Sequence, residues 1–256
     1  MTLDYVEQGS RSGMPVLLVH AIADSRRAFE PLMGHLPRSI RAFAMSQRGH
    51  GDSSIPEADY RPHDFASDLL AFMDELDMQA ALIVGGSSGG VVARRFAIDH
   101  PDRTIGLVLL GSPLALGEKP GVREMWESTF STLADPIDPA MVREFAEMTV
   151  APSVPRDLFE IIVEENLKPS ARVWRETMRG LIEDDSAHEL DRIAAPTLVV
   201  WGDQDSILSW SDQEAMTAAI PDARLIVYEG AGHSFYWEEP ERVAADIAAF
   251  VDSLER

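Results

Sequence analysis

Short apolar runs alternate with segments of helical period over both ends of the chain. Residues 16–20, 40–45, 80–85, 105–110, 197–201 and 224–228 each read as a strand buried on both faces, since an almost unbroken apolar run between turn residues suits a parallel sheet. Residues 3–8 are expected to add an antiparallel edge strand. Between strands, Phe65, Leu69, Phe72, Met73 and Leu76 recur at the spacing that places them on one helix face. Val243, Ile247, Phe250, Val251 and Leu254 repeat the device in a last helix, whose first turn suits Pro240. The pattern predicts an α/β protein with a mostly parallel central sheet flanked by helices.

The alternation stops between 114 and 194. Four helical pieces punctuated by proline, 123–133, 139–148, 156–166 and 171–183, fill this stretch, and it holds no convincing strand. Residues 1–113 and 195–256 are therefore expected to form the core, with 114–194 inserted as a helical cap over one end of the sheet. A chain of 256 residues suits one such core with an insertion.

One apolar strand runs straight into Gly85-Gly86-Ser87-Ser88-Gly89-Gly90. A serine on a sharp strand-to-helix turn has its hydroxyl pushed out at the top of the sheet, and only glycine-sized neighbours tolerate the turn and the helix behind it. Both Ser87 and Ser88 fit a G-x-S-x-G pattern, so the pattern alone leaves the nucleophile open between them. Acyl transfer also needs a base and an acid that orients it, in the chain order serine, acid, histidine. Trp201-Gly202-Asp203-Gln204-Asp205 ends one late strand, and Gly230-Ala231-Gly232-His233-Ser234 follows the next. Each member has a plainer reading: a turn serine, an aspartate capping a helix that begins near Ser209, a loop histidine bonded to backbone. The conjunction in the required order, each at or just beyond the C-terminal end of a strand, favours catalysis.

With those residues in view, the chain resembles the α/β-hydrolase family, in its serine-dependent carboxylesterase and lactonase-like members with a helical cap. The likeness spans nearly the full length. It is carried by Leu17-Leu18-Val19-His20-Ala21-Ile22, by Gln47-Arg48-Gly49-His50-Gly51-Asp52-Ser53, by the serine turn, and by the two late loops. The resemblance implies that Ser87 is the nucleophile, because family elbows set the last strand valine three positions before it and Val84 holds that place. It implies His233 as base and Asp205, rather than Asp203, as acid; the alternative acid position, Gly111-Ser112-Pro113, has no carboxylate. It further implies backbone N–H donors from Ile22 and Ser88 for an oxyanion. Ala21 departs from the family's usual glycine after the histidine, which puts the width of that loop in question. His20 and His50 read as structural residues of their turns.

A pocket for the substrate is expected from cap and loop side chains: Ala21, Trp126, Phe130, Phe145, Met148, Trp174, Met178, Ile207 and Phe235. For any one of them, packing within the cap or onto the core is the competing role. The implied reaction is hydrolysis of small to medium hydrophobic esters or lactones through an acyl-enzyme. Carbon–carbon bond hydrolysis, perhydrolysis or cyanohydrin cleavage on the same triad is the alternative, and a ligand receptor on a hydrolase scaffold is a third class.

Composition narrows the partners. With 22 basic against 43 acidic residues, a formal net charge of −21 repels phosphate backbones and anionic lipid, so neither nucleic acid nor membrane is an expected partner. The absence of cysteine excludes thiolate catalysis, disulfides and zinc–thiolate sites. His188-Glu189 lacks the second histidine of a zincin, and the serine turn lacks the lysine of a phosphate loop, so no metal or cofactor is expected. No apolar run approaches the roughly 20 residues of a membrane span and the first residues do not read as a signal peptide, which makes a cytoplasmic protein the expectation.

Overall fold

In the computed structural model, which describes residues 1–117, 119–150 and 154–254, seven strands form one sheet in the order β1-β3-β2-β4-β5-β6-β7. They are β1 (Tyr5–Gln8), β2 (Met14–Val19), β3 (Ile40–Met45), β4 (Ala81–Gly86), β5 (Thr104–Leu110), β6 (Thr197–Gly202) and β7 (Ala223–Tyr228). Only the β1–β3 pair is antiparallel. Each strand in the sequence reading is present, shifted at most by a residue or two at its ends. His20 falls outside β2, and its ring instead accepts a hydrogen bond from the Gln47 backbone N–H at 2.8 Å.

The apolar runs are continuous because both faces of the sheet are covered. On one face Val16, Leu18, Val84, Val108 and Val200 pack with Phe29 and with Ile247 and Phe250 of the last helix, Pro240–Leu254. On the other, Leu17, Val19, Ile83, Leu109 and Val199 meet Phe65 and Leu69 of the helix Pro62–Glu75 and Phe96 of the helix Ser88–Asp99. Successive strand residues point to opposite faces, so Leu17 and Leu18 serve different cores. Each such side chain removed from water contributes about 1.5–3 kcal/mol.

Among the described residues, no strand lies between β5 and β6. Helices Pro120–Ser128, Pro139–Glu147, Arg156–Asn166 and Ala171–Ile182 occupy that stretch, and a 3-10 segment, Ser186–Arg192, follows the last of them. The first starts earlier than the expected 123–133 because Pro120, with its fixed φ, takes the first helical turn, and a 3-10 turn at Phe130–Thr132 follows it. Phe130, Val142, Val163, Trp174 and Leu181 form a core of their own there, which reaches Ile22 and Val91 at the end of the sheet. Arg94 anchors this layer. Buried in the helix Ser88–Asp99, it donates to Ser186 Oγ at 2.8 Å, Asp184 Oδ2 at 2.9 Å and the Pro113 carbonyl at 2.7 Å. No helix among the described residues is long and apolar enough to cross a membrane.

Candidate active site

Between the end of β4 at Gly86 and the helix that begins at Ser88, Ser87 takes φ 48° and ψ −120°. A non-glycine residue in such a conformation costs about 1–3 kcal/mol and persists only where its surroundings over-determine it. Here the Ser87 N–H donates to the Leu110 carbonyl at 2.8 Å, and the Ser87 carbonyl accepts from Gly90 N–H at 2.8 Å. The helix then passes so close to the sheet that a Cβ on Gly89 would stand 2.2 Å from the Val19 carbonyl oxygen. Ser87 occupies the strained turn, whereas Ser88 opens the helix.

The loops after β6 and β7 bring the other two residues to this turn. His233 Nε2 lies 2.8 Å from Ser87 Oγ, and His233 Nδ1 lies 2.7 Å from Asp205 Oδ2. Asp205 is itself fixed, since its Oδ1 accepts from the backbone N–H groups of Ile207 at 2.8 Å and Leu208 at 2.9 Å. Both the histidine and the aspartate side chains are shielded from solvent. Ser209, not Asp205, caps the helix Trp210–Ala219. Asp203 is turned instead toward the histidine's loop, where its Oδ1 accepts from Gly230 N–H at 2.7 Å. Hydrogen bonds from the Gln204 side chain and from Gly230 hold its carboxyl below the ordinary carboxylate range.

The loop Ala21–Ile22 is braced from behind. His20 Nδ1 pairs with the Ala21 carbonyl at 2.7 Å while its Nε2 accepts from Gln47 N–H, which requires the neutral ring with its proton on Nδ1. Burial, then the neighbouring His50, hold its pKa well below the ordinary value. His50 donates from Nδ1 to the Arg48 carbonyl at 2.8 Å, and burial lowers its pKa to about 4. Both rings therefore act as neutral struts. Ile22 and Ser88 line the cavity above Ser87, and the Ser88 amide is one of the first N–H groups of its helix, which have no acceptor within the helix.

That cavity has a volume of about 500 Å³ and mostly apolar walls. Ala21, Phe145, Met148, Met178 and Ile207 line it, together with Leu116, Val122 and Met125. Four of the expected pocket residues are not among its lining. Phe130 and Trp174 are fully buried in the helical layer, ring centroids 5.8 Å apart, and the indole N–H of Trp174 donates to the Asn166 carbonyl. Trp126 packs on the same layer under the guanidinium of Arg179, and Phe235 is buried against Tyr228 and Tyr236. In these four, packing won over exposure to the pocket.

The sequence reading passed over several polar lining residues. Lys119 lines the cavity and donates to Asp212 Oδ1 at 2.7 Å, so it is an ion-paired wall. Asp24 and Asn166 are buried and hydrogen-bonded to each other at 2.8 Å, and Trp237 lines the same space. The one signal in the sequence was a carboxylate two positions beyond Ile22 in an otherwise apolar loop.

Residues 14–240 match the family model described as alpha/beta hydrolase fold. A 2-(acetamidomethylene)succinate hydrolase from Mesorhizobium japonicum is 28% identical over 266 residues, covering 99% of this chain and 92% of that protein. A thermophilic esterase from Thermogutta terrifontis superposes with a TM-score of 0.90 at 26% identity, over 99% of this chain and 94% of the other. A bromoperoxidase from Bacillus anthracis shares the fold, with a TM-score of 0.89 at 22% identity over 98% of this chain and 95% of its own.

Proposed function

The chain belongs to the α/β-hydrolase family, and on that premise we propose that it is a serine hydrolase cleaving small to medium hydrophobic carboxylic esters or lactones through an acyl-enzyme. The observation that carries this reading is the unbroken line Ser87 Oγ, His233, Asp205, at 2.8 and 2.7 Å, opening on an apolar cavity.

Each group then has one task. His233 Nε2 takes the Ser87 proton as Oγ attacks the ester carbonyl, and Asp205 holds the Nδ1–H tautomer and stabilises the imidazolium that forms. The carbonyl oxygen, now an oxyanion, is met by the backbone N–H groups of Ile22 and Ser88, each worth about 3 kcal/mol to the transition state. Collapse breaks the bond to the alkoxide, which leaves with the proton from His233. Water next gives its proton to His233 and attacks the acyl-enzyme; as the second tetrahedral intermediate collapses, the bond from the acyl carbon to Ser87 Oγ breaks, His233 returns the proton to Oγ, and the acid is freed. With a lactone the alcohol stays tethered to the acyl group. Residues 114–194 act as a cap in this scheme, supplying Leu116, Met125, Phe145 and Met178 as apolar walls.

Two measurements test the reading together: hydrolysis of p-nitrophenyl butyrate and of γ-butyrolactone, and fluorophosphonate labelling followed by peptide mass analysis. Turnover with an adduct on Ser87 is expected. An adduct on Ser88, or neither turnover nor adduct, overturns it.

A further inference from the structure

One corner of the cavity is polar, and the acyl-transfer chemistry leaves it unused. Asp24, 2% exposed, lines the cavity; its Oδ1 accepts from Asn166 Nδ2 at 2.8 Å, while Oδ2 is buried with no partner among the described residues. The short helix that follows His233, Phe235–Glu238, brings Tyr236 and Trp237 to the same cavity. Trp237 Nε1 is buried without an acceptor, and the Tyr236 hydroxyl, beside Ser234, makes no well-formed hydrogen bond. Burial and then the charge of Asp24 raise the Tyr236 phenol well above its ordinary value, which ties the two side chains to one neighbourhood.

This corner adjoins the reacting centre. A Cβ on Gly86, the residue before Ser87, would meet the Tyr236 ring at 3.2 Å. A buried polar atom without a partner costs about 1–3 kcal/mol, and native structures keep few of them. Three in one cavity wall, each on a side chain at most 3% exposed, mark a site that a ligand completes.

We propose that Asp24, Asn166, Tyr236 and Trp237 form a recognition subsite for a hydroxyl group of the substrate, making hydroxylated esters or lactones the preferred class. For turnover this rests on the serine-hydrolase reading; for binding it does not. The indole N–H only donates, so the partner must offer a lone pair, and an ammonium group has none. A carboxylate would face Asp24, with Glu165 nearby, inside a strongly acidic protein. A hydroxyl offers both a lone pair to the indole or phenol and a proton to Asp24. Burial brings the Asp24 carboxyl to about 7, so near neutrality it is able to accept or to donate.

The test compares methyl 3-hydroxybutyrate with methyl butyrate, and 2-hydroxyethyl butyrate with ethyl butyrate, so that the hydroxyl is tried on the acyl and on the alcohol side. In the full chain, kcat/KM for one hydroxylated ester is expected to exceed that of its parent at least about tenfold. Tyr236→Phe and Asp24→Leu should each bring that ratio to within twofold; if Asp24→Leu fails to fold, Tyr236→Phe, which removes one oxygen, still decides. Binding of the same esters to Ser87→Ala, followed by tryptophan fluorescence, gives a readout free of chemistry. A hydroxyl preference in binding with no turnover by the native chain keeps the subsite and removes the serine-hydrolase reading. Turnover of the parent esters with no hydroxyl preference in rate or binding overturns the subsite alone. A preference that survives in both variants also overturns it.

Discussion

Ser87 and His233 stand 146 positions apart in sequence, yet Ser87 Oγ lies 2.8 Å from His233 Nε2. The contact exists because β4, β5, β6 and β7 run parallel side by side, which puts the loop after β7, carrying His233, at the same end of the sheet as the turn after β4. If the pair and Asp205 act as a unit, Ser87→Ala and His233→Gln should each lower kcat for p-nitrophenyl butyrate by about 10⁴- to 10⁶-fold, and the double variant should be no worse. Asp205→Asn should lose about 10⁴-fold, since the amide favours the wrong tautomer of the ring. Steady-state kinetics on folded variants check this, and additive losses would contradict a shared role.

The close passage of helix and sheet predicts a graded response to added methyl groups. Gly89→Ala puts its Cβ 2.2 Å from the Val19 carbonyl oxygen and 2.5 Å from that of His20. Backbone on both sides has no room to yield, and overpacking of this kind costs about 1–3 kcal/mol or more. Gly230→Ala, at φ 79° with open space around it, should cost only the left-handed penalty of about 1–2 kcal/mol. Urea denaturation of the two variants measures both, and activity should fall much further in Gly89→Ala, which separates the serine turn from the Ala21–Ile22 loop.

The sheet was legible because burial on both faces writes itself as uninterrupted apolar runs; the run at 40–45 coincides with β3 to the residue. The triad candidates were legible for a related reason, as glycine-flanked polar residues immediately past such runs stand out. Pocket residues were not. Trp174 and Phe145 share a helical layer with ring centroids 5.3 Å apart, yet only Phe145 lines the cavity. Helical periodicity separates inside from outside, and it carries no mark for which buried ring faces a neighbour and which faces a void. Asp24 escaped for the opposite reason, since its buried partner, Asn166, lies 142 positions away.

Arg94 tests how the helical layer is held to the core. Its guanidinium is buried with Asp184 at 2.9 Å, and Ser186 and the Pro113 carbonyl complete its bonds. Arg94→Met leaves the Asp184 carboxylate buried without its counter-charge and should destabilise the fold by about 3–5 kcal/mol. Pairing it with Asp184→Leu should recover much of that loss, because a buried ion pair exchanged for apolar groups of similar size is often neutral. Thermal melts of the single and double variants distinguish this from simple loss of volume, in which case the second substitution would add to the damage.

Two buried groups tilt stability with pH in opposite directions. Burial lowers the His50 pKa from 6.5 to about 4, with the hydrogen bond to the Arg48 carbonyl opposing it. Between those values the unfolded chain binds the extra proton, so this stabilisation is complete above pH 6.5 and is lost as pH falls toward 4; fully expressed it is on the order of 3 kcal/mol. His20, lowered by burial and by His50, adds a slope of the same sign. For Asp24, burial raises the carboxyl from 3.8 to about 7, Asn166 opposing and Glu165 reinforcing. Here the native state binds the extra proton, so the contribution is complete below pH 3.8 and is lost as pH rises through 7. Denaturant titrations from pH 4 to 8 should therefore show the stability of His50→Gln falling less than that of the native chain toward acid. Asp24→Asn should move the other way, gaining on the native chain as pH rises. Parallel curves for the native chain and both variants would mean that neither group is held in the protonation state its burial dictates.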